Sequence, residues 1–280
     1  MQELSFDLGH IQLAGLGFGD PDKPVILATH GWLDNAASFI PLSTYLQDYY
    51  LVAIDFAGHG KSEKRTPGAQ YHILENIYDL HLLVEQQNWS QFVVMGHSMG
   101  GILGMVYASC FPEKVSRLIM LEAFSPIANT AEQAPQQLRD AVLDRIEQQA
   151  QPIKHPKSIE LAVQRRLMVT KMQPDNAQLI MRRNMQHLES GYQWTTDPKL
   201  KTKSLLRMIE PQADAFFGQV KCPVLCVLGD EGFAEIRQHL LAKHHLIENF
   251  QWYETPGYHH FHMDNPLPVV EKIKGFLRNL

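Results

Sequence analysis

With 280 residues and 45% apolar side chains, the chain can build a full hydrophobic core, which excludes global disorder. Its net charge is −5 and no Lys/Arg run interleaves with aromatics, so nucleic acid is not an expected partner. Residues 1–5 show no basic start or long apolar stretch, so no signal peptide is expected, and no segment approaches the ~20 apolar residues of a membrane helix. The three cysteines form no framework. Cys222 and Cys226 bracket a strand, about 13 Å apart, too far for a disulfide or a shared zinc ion. These features together predict a reducing, cytoplasmic setting.

In chain order, Leu4, Phe6 and Leu8 alternate, Gly9-His10 turns, and Ile11 and Leu13 resume, which predicts a hairpin over 4–19. Gly15, Gly17 and Gly19 lack the spacing and the following helix of a nucleotide loop and read as a glycine-rich strand end. Val25–Thr29 is a buried strand leading into His30-Gly31-Trp32-Leu33-Asp34-Asn35, where Asp34 or Asn35 suits the N-cap of a helix over 36–46. Tyr50–Ile54 is the next strand. It ends in the glycine-bearing turn 55–62, a structural feature, before Ile73, Ile77, Leu80 and Val84 recur at helical spacing. Residues 92–95 form an apolar strand, Ile102, Val106 and Cys110 share a helix face, and Val115–Leu121 is a further strand ending at Glu122. Such alternation implies a parallel sheet covered on both faces, with the active site beyond the strand carboxyl ends, where His30, Ser98 and Glu122 lie.

The alternation stops at Phe124. Residues 124–220 read as helical and strand-poor, with helices marked by Leu138, Val142 and Ile146, by Ile159, Val163 and Leu167, and by Met181, Met185 and Leu188. Inserted after a strand that ends beside the nucleophile, this stretch is expected to be a lid, with 1–123 and 221–280 forming the core. It carries 13 Lys/Arg and 10 Asp/Glu, so the lid is +3 and the remainder −8. Arg165-Arg166 and Arg182-Arg183 are candidates for holding an anion, but read first as solvated helix faces. The sheet resumes at 223–230, a helix follows over 234–245, and 251–254 is the last strand. Val269, Ile273, Phe276 and Leu280 mark the closing helix.

Gly96-His97-Ser98-Met99-Gly100 fits the G-x-S-x-G nucleophile elbow. A strand ends, the chain turns sharply at Ser98, and a helix begins, so only glycine fits beside the serine. The Met99 N–H at the helix start is then free to donate to a developing oxyanion, and the Trp32 N–H is the candidate second donor. A serine hydroxyl needs a histidine base, itself steadied by a carboxylate. In this chain order the histidine comes last. The loop after the final strand carries His259, His260 and His262, and His259 follows the turn residue Gly257 most closely. A histidine base of ordinary pKa predicts hydrolysis rising with pH near 6–7. Three clustered histidines also raise the question of a metal, but no matching ligand motif stands elsewhere, so neither metal nor cofactor is expected. Met99, Ile102, Phe124 and Trp194 are candidates for an apolar acyl pocket, each alternatively core.

His30-Gly31, Asp55-x-x-Gly58-His59-Gly60-x-Ser62, the Ser98 elbow and Gly257-Tyr258-His259 together resemble the α/β-hydrolase superfamily over nearly the whole chain. Residues 30–39 resemble its serine hydrolase-like subgroup. The resemblance implies a mostly parallel eight-stranded sheet with helices on both faces, a helical cap after strand six, and a Ser–acid–His triad. Ser98 and His259 match the family's nucleophile and base, and Trp32 and Met99 its oxyanion-hole positions. The acid departs from the pattern. Most members carry it three residues after the glycine ending strand seven, here Gly232. Asp230 lies two positions early, and Glu122 ends strand six, as the acid of haloalkane dehalogenases does. Both remain candidates. Dehalogenase and epoxide hydrolase chemistry is not implied, because those enzymes attack with an aspartate. The expected activity is hydrolysis of a small carboxylic ester through an acyl-enzyme. The alternatives are a thioester, lactone or carbon–carbon bond, or a ligand-binding relative with weak turnover.

Overall fold

A computed structural model describes residues 1–189 and 191–278. β1 (Gln2–Asp7) and β2 (Gln12–Phe18) form the antiparallel hairpin. β3 (Val25–Thr29) leads into a 3-10 turn at Ala36–Phe39 and the short α1 (Ile40–Ser43). Asn35 caps this turn by accepting from the Ala37 N–H; Asp34 serves elsewhere. β4 (Tyr50–Ile54), α2 (Glu75–Gln86), β5 (Phe92–His97), α3 (Met99–Cys110) and β6 (Val115–Leu121) follow. The insert holds α4 (Ala134–Ala150), α5 (Ile159–Val169), α6 (Pro174–Arg183), β7 (Met185–Leu188), β8 (Gly191–Trp194) and α7 (Glu210–Gln219). β9 (Val224–Gly229), α8 (Ala234–Lys243), β10 (Phe250–Thr255), α9 (Phe261–Asp264) and α10 (Pro266–Arg278) complete the chain. Leu280, expected on the closing helix, lies outside the described residues.

The eight-stranded sheet runs β1-β2-β4-β3-β5-β6-β9-β10, antiparallel from β1 to β4 and parallel from there on. Period-two alternation explains why its centre is apolar throughout. Phe92 and Val94 of β5 pack on one face with α2, α3, α7 and α8, while Val93 and Met95 pack on the other with α1 and α10. Cys226 of β9 is likewise buried, and all three cysteines are unpaired. Among the described residues no helix is long and apolar enough to cross a membrane.

The insert differs from its sequence reading in two places. Met185 and Leu188 continue the helical spacing of Met181, yet α6 ends at Arg183 and 185–194 form a β-hairpin, turning where Gly191 takes a φ of 106°. α7 packs on α3, with Ala213 and Phe217 fully buried and the Phe217 ring stacked on Phe124. Its residues therefore belong to the core layer, and so does Phe124. The remaining insert is tied to the rest of the chain by polar contacts. The Asn35 side chain donates to the Ile180 carbonyl at 2.8 Å and to Asn184 Oδ1 at 3.0 Å, and Asn184 Nδ2 donates to the Leu33 carbonyl at 3.1 Å. Arg183 is not solvated: it is buried, with Nε donating to Asp55 Oδ1 and Oδ2 at 3.0 and 2.9 Å.

Candidate active site

Ser98 stands between β5 and α3 with φ 50° and ψ −120°. An L-residue adopts that conformation only when its surroundings force it. The force comes from both flanks. A Cβ on Gly100 would stand 2.7 Å from the His30 carbonyl oxygen and nearer still to that of Thr29, and one on Gly96 would overlap the backbone of residues 100 and 101. Four non-glycine residues among those described have positive φ, and three lie here: Leu33 at 62°, Ser98 at 50° and Glu122 at 45°. They mark the loops leaving β3, β5 and β6.

The Met99 N–H opens α3, and the Trp32 N–H lies in the turn closed by Asp34 N–H donating to Gly31 O at 3.1 Å. Neither donates to another group among the described residues. His30 secures this loop from below. Its Nε2 accepts from the Phe56 N–H at 3.0 Å, so Nδ1 carries the proton and donates to the Gly31 carbonyl at 2.7 Å. Burial pushes the His30 pKa down to about 4, which keeps the ring neutral.

His259 follows β10 in a turn braced by Asp230, whose Oδ1 accepts from the Gly257 N–H at 2.9 Å. The His259 ring packs on Phe233, centroids 4.4 Å apart, and its Nδ1 is buried without a hydrogen-bond partner. Burial, then the neighbouring imidazoles of His97 and His260, push its pKa down to about 2. The titration near 6–7 expected from sequence is thus displaced to acid.

Glu122 lies 1% exposed at the end of β6. Its Oε2 accepts from the Gly229 N–H at 2.7 Å and Oε1 from the Phe233 N–H at 2.8 Å. Burial raises its pKa against the pull of these two N–H groups. A Cβ on Gly232 would stand 2.6 Å from Oε2 and closer to Oε1. The carboxylate therefore occupies the ground where a side chain at 232 would begin. Gly232 and Phe233 in turn border His259 across a cavity of about 300 Å³ that α5 closes with Val169.

Sequence reasoning missed a buried polar group behind these loops. Asp34 Oδ1 pairs with the Arg166 guanidinium of α5, and Oδ2 accepts from His260 Nε2 at 3.0 Å. Arg166 is thus a core-contacting cation, not a solvated one. Burial alone would raise the Asp34 carboxyl, but Arg166, His260 and His97 hold it well below the usual carboxylate range. His97, one residue before the nucleophile, donates from Nε2 to the His259 carbonyl at 2.9 Å. His262 lies behind it, rings 4.1 Å apart, with both nitrogens unpartnered. Asp34, His97 and His260 have ligand atoms within 4.8 Å of one another, but Arg166 Nη2 stands 3.3 Å from His260 Nε2 and supplies the cation of this group. A second cavity, about 810 Å³, lies against Leu33, Arg165, Arg166 and Trp194.

A serine with positive φ at a strand-to-helix turn, above a parallel sheet and directly before an unengaged helix-start N–H, is the arrangement of an α/β hydrolase. Residues 24–266 match the family model of the alpha/beta hydrolase fold. Human Serine hydrolase-like protein 2 is 30% identical over 99% of this chain and 93% of that protein. The Danio rerio Serine hydrolase-like protein is 26% identical over 95% and 85%. The crystal structure of a hypothetical protein from Pseudomonas aeruginosa PAO1 superposes with a TM-score of 0.93 at 33% identity, covering 99% of both chains. The chain belongs to the α/β-hydrolase family, in its serine hydrolase-like branch.

Proposed function

We propose that the protein is a serine hydrolase that cleaves carboxylic esters through an acyl-enzyme on Ser98. The observation that carries this reading is the strained Ser98 turn, with φ 50° at the first residue before α3 and the Met99 N–H unengaged beside it. That strain has no structural return unless the hydroxyl is to be presented off the sheet.

His259 takes the Ser98 Oγ proton as Oγ attacks the ester carbonyl. The carbonyl oxygen, now an oxyanion, is held by the N–H groups of Trp32 and Met99. Collapse expels the alcohol, which leaves with the proton from His259. Water, deprotonated by the same ring, then releases the carboxylic acid and frees Ser98. Glu122 is the favoured acid. It is buried, it stands against Gly232, and the Phe233 N–H that it binds belongs to the residue packed on the His259 ring. Asp230 is engaged with the Gly257 turn and braces the histidine loop instead. The cavity bordering His259 and the larger one against Leu33, Arg166 and Trp194 are the candidate spaces for the parts of the substrate beyond the reacting atoms.

The test is initial-rate hydrolysis of p-nitrophenyl acetate, butyrate and octanoate, alongside labelling by a fluorophosphonate probe. Wild type should turn over and label, and Ser98→Ala should do neither. Ester hydrolysis that survives Ser98→Ala, or a wild type inert to both esters and probe, would overturn the reading.

A further inference from the structure

The buried group around Asp34 touches the three loops that carry Trp32, Ser98 and His259. Asp34 lies two residues after Trp32. His97 precedes Ser98, and His260 follows His259. Gly31 lets them converge, since a Cβ there would stand 3.0 Å from His97 Nδ1 and 3.2 Å from Asp34 Oδ2. His97 Nδ1 lies 3.6 Å from Asp34 Oδ2, while its Nε2 donates across to the His259 carbonyl at 2.9 Å. Three loops that are remote in sequence are thus joined around one carboxylate. The third partner of the carboxylate comes from the insert, where α5 delivers Arg166 to it. The Asp34 and Arg166 side chains are 2% and 12% exposed.

A carboxylate so enclosed is costly to bury without its cation. A fold stabilised only by packing would favour apolar side chains of similar size here. What the charged group adds is direction. The carboxylate fixes the distance from the Trp32 turn to the histidine loop, and it does so only while α5 is seated. We infer that Asp34 is a positioning residue that holds the Trp32, Ser98 and His259 loops in register, and that its clasp with Arg166 couples the seating of cap helix α5 to turnover at Ser98. This rests on the proposed serine chemistry. Asp34 touches no reacting atom; it acts through the backbone of Trp32 and His259.

The variants are Asp34→Asn, Arg166→Met and Arg166→Lys. Each is measured for p-nitrophenyl butyrate kinetics from pH 5 to 8, fluorophosphonate labelling of Ser98, melting temperature and amide hydrogen exchange of residues 159–169. Asp34→Asn should lower kcat at least tenfold with KM changed less than threefold, and should speed exchange in α5. Arg166→Lys, which keeps the charge, should recover most of the rate that Arg166→Met loses. Arg166→Met should also gain a pH dependence. Without its cation, the Asp34 carboxyl faces the rings of His30, His97, His259, His260 and His262, and burial then pushes its pKa up from the low value that Arg166 helps to hold. The rate should fall toward pH 5 in Arg166→Met and not in the Asp34→Asn/Arg166→Met double variant. A folded Asp34→Asn with kcat within twofold of wild type, or with α5 exchange unchanged, overturns the inference while leaving the serine reading intact. A wild type without Ser98-dependent turnover overturns the serine reading and the coupling with it. Faster exchange in Asp34→Asn would then report only a clasp. If Asp34→Asn does not fold, Arg166→Met against Arg166→Lys decides by the same two readouts.

Discussion

The Glu122 carboxylate fills the space into which a side chain at Gly232 would grow: a Cβ on Gly232 would stand 2.6 Å from Oε2 and closer to Oε1. One position carries the charge and the other must carry none, so acid and glycine form a complementary pair 110 residues apart in sequence. The trade makes the assignment of Glu122 testable without a substrate complex. Glu122→Gln should reduce kcat by roughly 10³–10⁴-fold, as expected when a triad histidine loses its carboxylate. Asp230→Asn should cost far less, because Asp230 braces a turn. Gly232→Asp alone should destabilise the protein, since both carboxylates would claim one site. Combined with Glu122→Ala it should return part of the lost rate. Initial rates on p-nitrophenyl butyrate check the three activities, and the melting temperature of Gly232→Asp checks the destabilisation.

Legibility followed sequence distance. The elbow was readable because strand, glycines, serine and helix lie within twenty residues and each constrains the next. The acid was only half readable. The sequence shows that Gly232 cannot serve, and the preference proposed for Glu122 over Asp230 draws on contacts no sequence pattern reveals, the Gly229 and Phe233 N–H groups that donate to Glu122. Arg166 and Arg183 looked like solvated faces because helix spacing says nothing about a partner 132 or 128 residues away. The β7–β8 hairpin was hidden because Met185 and Leu188 happen to extend the helical period of Met181, and an apolar pattern cannot tell a short strand from a helix end.

Burial of His259 sets the pH profile. With its pKa pushed down to about 2, the ring is already neutral, and so able to act as a base, well below pH 6. The kcat/KM of the wild type should therefore stay level from pH 8 to about 5.5, instead of falling near 6.5. Phe233 provides the cover, its ring 4.4 Å from that of His259. Phe233→Ala should hydrate the histidine and move the acid limb upward, toward the ordinary value. A pH series of kcat/KM on both proteins checks this, and a limb that does not move would remove the role given to Phe233.

The same burial makes the protein acid-sensitive as a whole. His30, His59, His97, His259 and His262 all have pKa values lowered by burial, to about 4, 3 and 2 for His30, His59 and His259. The sign is fixed by linkage. Below the unfolded value near 6.5 the unfolded chain binds protons that the folded chain refuses, so stability is full above that pH and is lost as pH falls. Each such group contributes about 1.4 kcal/mol of loss per pH unit while only the unfolded form titrates. The melting temperature should be flat from pH 8 to 7 and fall steeply from 6.5 to 5. Calorimetry across that window checks it. His262→Phe should soften the slope, because it removes one proton-binding site and two unpartnered ring nitrogens.

Arg183 joins the insert's α6 to the rest of the chain at a second place. Its Nε donates to both oxygens of the fully buried Asp55, and its Nη1 donates to both oxygens of Glu3 at 3.0 Å. Asp55 also accepts from the N–H groups of Ala36 at 2.7 Å and Lys61 at 2.8 Å, so its charge is shared among the 3-10 turn at Ala36, the turn after β4 and α6 of the insert. Removing the guanidinium leaves that charge buried with neutral donors alone. Arg183→Met should therefore cost about 3–5 kcal/mol in urea unfolding, the scale for breaking a buried pair by deleting one partner. Lys61→Met, which breaks an exposed pair with Glu3, should cost less than about 1 kcal/mol. Arg183→Met with Asp55→Asn should cost less than the sum of the single changes, since the neutral amide no longer needs a cation. If the costs instead add, the destabilisation comes from lost packing of α6 and not from the stranded charge of Asp55.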